Sequence, residues 1–272
     1  MLRKMKKTKN KKRLLKIVST FNGVLAVVFF ILTVGCVFNS KSQKTLAVSP
    51  PAIKKTDSSL ENPQSYQELL TEIETQRTAL ATKYQQARTP AEKTKIVASA
   101  RQTATQFIYN NIFPSWYGTE WDFYGTTEAP GKGKIACGYF VSTVLRDTGW
   151  RVQRVKMAQQ ASENIILSLT TNSYVKRFRN TPINDFVKAL EQSGEGLYVV
   201  GLDIHVGFIV NTGDEVFFIH SSYAEPYKVV KEKAIDSTIL ASSKYRVLGK
   251  ISADDSFIIK WLTKQEIITK TK

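Results

Sequence analysis

Cysteine and histidine are scarce in this sequence. The 272 residues include two cysteines and two histidines, which excludes a scaffold built on several disulfides. Cys36 lies in an apolar N-terminal run, and this leaves Cys137 without a partner. A lone thiol is a liability in an oxidising compartment unless it is buried or used. Cys137 is therefore either a small buried hydrophobe or a reactive group.

The first sixteen residues contain no acidic residue, and the next twenty-four contain no charged residue. Its first sixteen positions hold nine of the Lys and Arg residues behind the net charge of +16. No charged residue occurs from Ile17 to Ser40, a stretch that includes the apolar run Val24 to Phe38 and is long enough as a helix to cross a hydrocarbon core of about 30 Å. The positive-inside rule predicts a basic cytoplasmic head at 1–16, a membrane anchor or signal segment at 17–38, and an extracytoplasmic remainder.

The same segment is open to a second interpretation. Thr33, Val34, Gly35 and Cys36 follow the basic and apolar regions and resemble a lipobox, which would make Cys36 a lipidation site. Either interpretation places the protein on the cell membrane, single-pass or lipid-anchored. The basic cluster has no interleaved aromatics and no folded context, so we expect it to face the membrane and not nucleic acid.

Composition changes again beyond the apolar segment. Residues 39–63 mix Ser, Lys, Thr and Pro without apolar periodicity, which is typical of a linker. Residues 64–110 carry helix formers with periodic apolar positions. Within them, Pro90 predicts a break between two helices, with Thr89 as the N-cap of the second. Residues 111–272 are expected to form the main folded domain.

The main domain has an α+β pattern. Residues 113–125 are rich in aromatics, Gly and Pro and are expected to form a loop that either binds a ligand or caps the core. Apolar stripes predict helices at 137–148, 155–170 and 182–193. β-Branched apolar runs predict strands at 197–200, 204–210, 215–220 and 245–251. This order indicates N-terminal helices packed on an antiparallel sheet.

Cys137 stands at the predicted start of a helix, which Gly149 is expected to end. Unpaired backbone N–H groups and the positive end of the helix dipole favour a thiolate at such a position. The same N–H groups could stabilise the oxyanion that forms when a thiolate attacks a carbonyl carbon. The position is typical of a cysteine nucleophile.

A cysteine nucleophile needs a base that titrates near neutral pH, and the sequence offers only His205 and His220. They flank the predicted turn Asn211–Asp214, and symmetric pairing would place them directly opposite each other on one face of a hairpin. One imidazole could then orient the other. A pair of structural histidines is the alternative, as is a zinc site with Cys137, although the sequence supplies no obvious fourth ligand.

Three sequence pieces resemble the NlpC-type papain-like cysteine peptidases of the peptidoglycan endopeptidase superfamily. They are ACGYFVSTVLR from Ala136, HVGFIV from His205 and FIHSS from Phe218, within a match that spans residues 110–252. The resemblance implies a papain-like fold, no cofactor, a catalytic triad of Cys137, His205 and His220, and a tyrosine near the oxyanion, for which Tyr124 is the candidate.

The substrate implied by the resemblance is a peptide bond in a peptidoglycan stem peptide. The candidate substrate contacts are Trp121, in the aromatic segment, and Gly138, next to the nucleophile. Many relatives have Asp before and Ser after the cysteine, where these residues hold the amino end of the stem peptide. This chain has Ala136 and Gly138 there, which leaves the substrate open.

Two other functions remain open. Cys137 followed by Thr148-Gly-Trp-Arg-Val resembles transglutaminase-like proteins, whose third residue is normally Asp, whereas here that position falls on His220. An anchored wall-binding module that uses the aromatic segment and has a silent triad is the non-enzymatic alternative. Asp203 is a second candidate for the group that orients His205.

Overall fold

The computed structural model of the protein describes residues 65–271. The basic head, membrane segment and linker expected at residues 1–63 lie outside the described residues. In the part that is described, no helix combines the length and the hydropathy needed to cross a membrane.

Helices precede, interrupt and follow the strands of the described region. Their bounds are α1 Tyr66–Gln86, α2 Pro90–Phe107, α3 Phe113–Trp116, α4 Cys137–Asp147, α5 Arg154–Ala158, α6 Ser162–Leu169, α7 Ile183–Gln192, α8 Thr238–Ser242 and α9 Asp255–Thr263. A π-helical turn, Ile108–Ile112, joins α2 to α3.

The strands confirm the α+β class. Their bounds are β1 Glu120–Trp121, β2 Lys134–Ile135, β3 Val175–Arg179, β4 Gly196–Gly201, β5 Val206–Asn211, β6 Val216–Ser221, β7 Val229–Lys233 and β8 Tyr245–Gly249. The last six form one antiparallel sheet in the order β3-β8-β4-β5-β6-β7, and β1 pairs with β2 in a short parallel ladder.

Both faces of the six-stranded sheet are covered. On β4, Leu197 and Val199 pack into a core shared with α4, α6 and α9, while Tyr198 and Val200 pack against α7 and α8. Double coverage explains the continuous apolar runs of β4 and β5, because every side chain of such a strand is buried. The expectation that all helices precede the sheet is wrong, since α7 and α8 lie between strands in the sequence.

The two helices of the 64–110 region belong to the same core as the sheet. Leu69 and Ile73 of α1 are buried in the cluster that contains α4 and α9. Arg77 is also buried, and its guanidinium donates to the carbonyl of Leu262 at 3.1 Å. This hydrogen bond and the shared apolar surface fix α1 against α9.

The predicted break at Pro90 is confirmed. Thr89 is the N-cap of α2, its hydroxyl accepts from the N–H of Glu92, and the Glu92 carboxylate accepts from the N–H of Thr89. Pro90 is the first helical residue, where its missing N–H costs nothing. These are local interactions, which is why a short stretch of sequence predicts them.

The prediction of a loop for 113–125 is wrong at its beginning. Phe113 and Trp116 lie on the short helix α3, which continues from the π-helical turn, and both rings are fully buried. The aromatic residues up to Trp116 are part of the core, whereas Phe123 and Tyr124 near the end of the segment are largely exposed.

Candidate active site

Cys137 is the first residue of α4, as predicted. The helix is fixed to the sheet because Phe140 is fully buried in the core that contains Phe208 of β5. The segment before the helix is tied to β6 by a hydrogen bond that the Ser221 hydroxyl donates to the carbonyl of Ile135 at 2.7 Å. These contacts hold the thiol beside the strands that carry the histidines.

The Cys137 side chain is partly buried. Burial raises the pKa of the thiol, and the backbone N–H groups of Val206, Gly138 and Cys137 itself lower it by a smaller amount. The start of the helix therefore acts in the expected direction, but it does not make the thiolate the resting form. A reaction at this thiol requires a base.

Gly138 lies where α4 meets α5. A Cβ atom at this position would come within 2.2 Å of the carbonyl oxygen of Ala158, far closer than side-chain carbons approach backbone atoms. Gly138 is thus a point of close backbone approach, and its hydrogen in place of a side chain lets the two helices touch.

We expect Gly138→Ser to lower the free energy of unfolding by about 1–3 kcal/mol, because α5 must move to admit the new Cβ atom. Urea unfolding followed by circular dichroism measures the change. Ala136→Ser is the matched control on the other side of Cys137, at the N-cap position, where serine is favoured. Equal stability of Gly138→Ser and wild type would show that α5 moves at no cost.

The register of the β5–β6 hairpin differs from the prediction. Asn211 pairs with Val216, because Gly213 adopts a φ of 90° and the turn is centred one residue later than predicted. The prediction that His205 directly faces His220 is therefore wrong. The two histidines are diagonal neighbours on the same face of the hairpin, since the pairing is displaced by an even number of residues.

Gly207 makes this diagonal contact possible. It continues the register opposite His220, and a Cβ atom on Gly207 would lie 2.8 Å from the Cβ atom of His220. The side chain of His220 occupies the space above Gly207 instead. On its other side, the imidazole stacks on the ring of Phe218, with centroids 3.9 Å apart.

Three side chains form a hydrogen-bonded row, which we call the relay: His205, His220 and Glu232. His205 Nε2 lies 2.9 Å from His220 Nδ1, and His220 Nε2 lies 3.2 Å from Glu232 Oε1. The histidines are 4 % and 1 % exposed, whereas the Glu232 side chain is about one third exposed. Glu232 was not among the predicted site residues.

The electrostatics keep both imidazoles neutral at neutral pH. Burial and then the charge of His220 lower the pKa of His205 well below its ordinary value of 6.5. Burial also lowers the pKa of His220, although the hydrogen bond to Glu232 and the charge of Glu232 raise it in part. Burial alone would raise the pKa of Glu232, but the hydrogen bonds from His220 and Ser237 lower it overall.

These charges determine which atom of the relay carries each proton. Ionised Glu232 only accepts, so His220 Nε2 must donate to it, and the Nδ1 atom of a neutral His220 must then accept. His205 Nε2 therefore donates to His220. The free lone pair of the relay lies on Nδ1 of His205, which is the atom able to take a proton.

His205 Nδ1 is buried and has no hydrogen-bond partner. A buried acceptor without a partner costs free energy. His205 directly precedes Val206, whose N–H faces the Cys137 thiol. Between Cys137 and the relay, no hydrogen bond is present in the described residues, and catalytic hydrogen bonds often form only with substrate bound.

The two aromatic residues predicted for the site, Trp121 and Tyr124, lie in different surroundings. The Trp121 ring lies 6.5 Å from Tyr223, whose ring lies 5.0 Å from the imidazole of His205. Tyr124 is 84 % exposed, its ring contacts Phe123, and its hydroxyl makes no hydrogen bond with a described residue. The structure thus brings Trp121 towards His205 and leaves Tyr124 on the surface.

Asp203 serves a different part of the fold. Its carboxylate accepts from the N–H groups of Lys244 at 2.7 Å and Tyr245 at 3.1 Å. These bonds lower the pKa of Asp203 and hold the loop before β8. The group that contacts His205 is His220, as predicted.

Among residues 65–271, no three His, Cys, Asp or Glu side chains are grouped so as to hold a metal ion. The zinc alternative required Cys137, His205 and His220 to point at one ion. Instead, Nε2 of His205 and Nδ1 of His220 point at each other.

Together, the fold and the site define an α+β domain with a cysteine at a helix start and a buried row of two histidines and a carboxylate on neighbouring strands. No family model matches the chain, and no curated protein or solved structure matches it. The chemistry of the site itself therefore carries the functional conclusion.

Proposed function

We propose that the protein is a membrane-tethered, extracytoplasmic cysteine hydrolase of the NlpC-type papain-like class, and that it cleaves a peptide or amide bond in peptidoglycan. One observation carries the proposal. The thiol at the start of α4 lies at the N–H of Val206, directly after a histidine whose one unpaired ring nitrogen, Nδ1, is buried and carries the free lone pair of the relay. The hydrogen bonds of the relay explain why His205 carries its proton on Nε2 and leaves Nδ1 able to accept the thiol proton.

In the first half of the reaction, Nδ1 of His205 takes the thiol proton of Cys137 as the sulfur attacks the carbonyl carbon. A carbon–sulfur bond forms, and the carbonyl oxygen becomes an oxyanion. Backbone N–H groups at the start of α4 are suitably placed donors for it. His205 gains positive charge at this point, which His220 and the negative charge of Glu232 stabilise.

In the second half, His205 gives its proton to the leaving amine, and the carbon–nitrogen bond breaks. A thioester between substrate and Cys137 remains. His205 then removes a proton from a water molecule that attacks the thioester, and the thiol is restored when the acid product leaves. An amine in place of water would give acyl transfer, which is the transglutaminase-like alternative.

The proposal is tested by incubating the full-length protein with purified peptidoglycan and identifying released fragments by mass spectrometry. Cys137→Ala is the inactive comparison, and Cys36→Ala, which changes the chain's other cysteine, is the matched control. We expect fragments with wild type and Cys36→Ala but not with Cys137→Ala, and their masses identify the bond. Fragments in all three samples, or in none, contradict the proposal; products joined to an added amine support acyl transfer.

We expect Glu232→Gln to reduce kcat by about tenfold to a hundredfold with little change in KM, because it removes a charge that stabilises the protonated relay. The acid limb of the pH profile should move to lower pH. The direction of this shift follows because Glu232 raises the pKa of His220. Without the carboxylate charge, the hydrogen-bonded pair of His205 and His220 takes up a proton only at lower pH.

Glu191→Gln, a matched change at an exposed position of α7, should leave both rate and pH profile unaltered. Glu232→Asp keeps the charge and should recover part of the rate. A slow Glu232→Gln protein whose pH profile is identical to that of wild type would show that Glu232 only supports the fold.

A further inference from the structure

A cleft of 640 Å³ lies where α1, α2, the π-helical turn and β7 meet. Its size is within the range of small-ligand sites. Four amide side chains line it: Gln76, Gln106, Asn110 and Asn111. None of these amides makes a side-chain hydrogen bond in the structure, so all their donors and acceptors are available to a ligand.

Aromatic rings form much of the remaining wall, including those of Tyr109 and Tyr117. Lys231 of β7 donates to the Tyr109 hydroxyl at 2.9 Å, and its ammonium lies over the ring. Burial raises the pKa of Tyr117, which keeps its hydroxyl protonated and able to donate. The cleft therefore combines flat apolar surfaces with hydroxyl and amide groups.

Three consecutive lining residues, Tyr109, Asn110 and Asn111, belong to the π-helical turn. A π-helical turn is rare, occurs mostly as a single turn inside an α-helical run, and is frequently found at functional sites. Here it interrupts the helical run between α2 and α3 at the wall of the cleft. The irregularity and the unpaired amides are independent observations at one place.

The composition of the wall selects the chemical class of the ligand. No carboxylate is among the described lining residues, and Lys231 is their one cation, which disfavours metal ions and multiply charged anions. An apolar ligand would displace water from four amides without replacing its hydrogen bonds, at a cost in free energy. A sugar chain offers hydroxyl and acetamido groups that both donate and accept, and C–H faces that pack on aromatic rings.

We propose that this cleft binds an N-acetylated polysaccharide strand. That the strand is the glycan of peptidoglycan rests on the proposed function. Tyr117 is four residues from Trp121, so their Cα atoms are at most about 14 Å apart, and a polymer seated in the cleft lies close to the aromatic segment near His205. Lys231 and Glu232 are consecutive on β7 and serve the cleft and the relay from opposite faces of the sheet.

The test uses full-length Cys137→Ala protein, which cannot turn over a substrate, in a detergent without a sugar headgroup. The probe is the β-1,4-linked tetramer of N-acetylglucosamine, titrated by calorimetry. We expect saturable binding, and a Kd about tenfold higher when Asn110→Ala and Asn111→Ala are combined. The matched control combines Gln85→Ala and Gln86→Ala, two exposed amides at the end of α1, and should bind like the parent.

The proposal is overturned if the parent does not bind the tetramer at millimolar concentration, or if the Asn110/Asn111 double variant binds it as tightly as the parent. Circular dichroism of the double variant checks that its fold is intact. This assay measures binding and needs no turnover, so its result is independent of whether the protein is a hydrolase. Cleavage of sugar-free stem peptides without sugar binding rejects the cleft alone, and sugar binding without cleavage rejects the hydrolase alone.

Discussion

Hydrolysis by the Cys137→Ala protein is expected to fall by about 10⁴-fold or more, to a rate that reflects binding and the oxyanion donors alone. Cys137 is the only cysteine in the described region, and the proposed mechanism has no other acyl acceptor. The substitution removes one sulfur atom from a partly buried position, so α4 should persist. Release of peptide fragments under single-turnover conditions measures the loss.

Cys137→Ser supplies a sharper comparison. Its hydroxyl has nearly the same shape but a much higher pKa than a thiol, so we expect it to be almost as inactive as Cys137→Ala. Cys36→Ala should retain the wild-type rate, since Cys36 lies in the N-terminal apolar segment. Substantial hydrolysis by Cys137→Ala would remove Cys137 from the mechanism.

The second large effect is expected at His205. We expect His205→Ala to lower kcat/KM by about 10³-fold, because the neutral thiol of Cys137 then has no base within the relay. His220→Ala should cost less than His205→Ala, since it removes the orienting group and leaves the base. A larger loss at His220 than at His205 would contradict this order of roles.

The pH profile of the wild-type protein provides an independent check on His205. The base works only when it is neutral, and its pKa lies well below 6.5. The rate should therefore remain on its plateau as the pH falls through 6.5 and decline only at lower pH. A plot of log kcat/KM against pH measures the midpoint of this acid limb. A midpoint at or above 6.5 would mean that His205 is not the buried base described.

The strands that sequence patterns predicted are the central ones. β4 and β5 are covered on both faces, and this selects the unbroken apolar runs that identify them. The two strands of the six-stranded sheet that escaped prediction, β3 and β7, are its edges and read VKRFR and VVKEK. Lys, Arg and Glu at an edge discourage pairing with other chains. They also interrupt the apolar run from which a strand is predicted.

The candidate site, like the sheet, was predicted in its central part and missed at the edge strand. Cys137 and the two histidines follow from residue type and from their positions at a helix start and beside a turn. Glu232 was missed because it lies on the edge strand β7, where it resembles an ordinary surface charge. The register was missed because one positive φ, at Gly213, moved the centre of the turn. The predicted pairing was displaced by two residues, and side chains alternate between the faces of a strand with a period of two. Both histidines therefore stay on one face, and the predicted contact between them is present although the predicted pairing is wrong.

The partial burial of Cys137 has a consequence for the chemical durability of the protein. A thiolate attacks peroxides and disulfides much faster than a thiol does, and burial keeps the pKa of this group above its ordinary value. Outside the reducing cytoplasm, the side chain would spend its idle time in the form that oxidises slowly. In the proposed mechanism, His205 removes the thiol proton only as the sulfur attacks, so slow oxidation at rest and a strong nucleophile during the reaction are compatible in one residue.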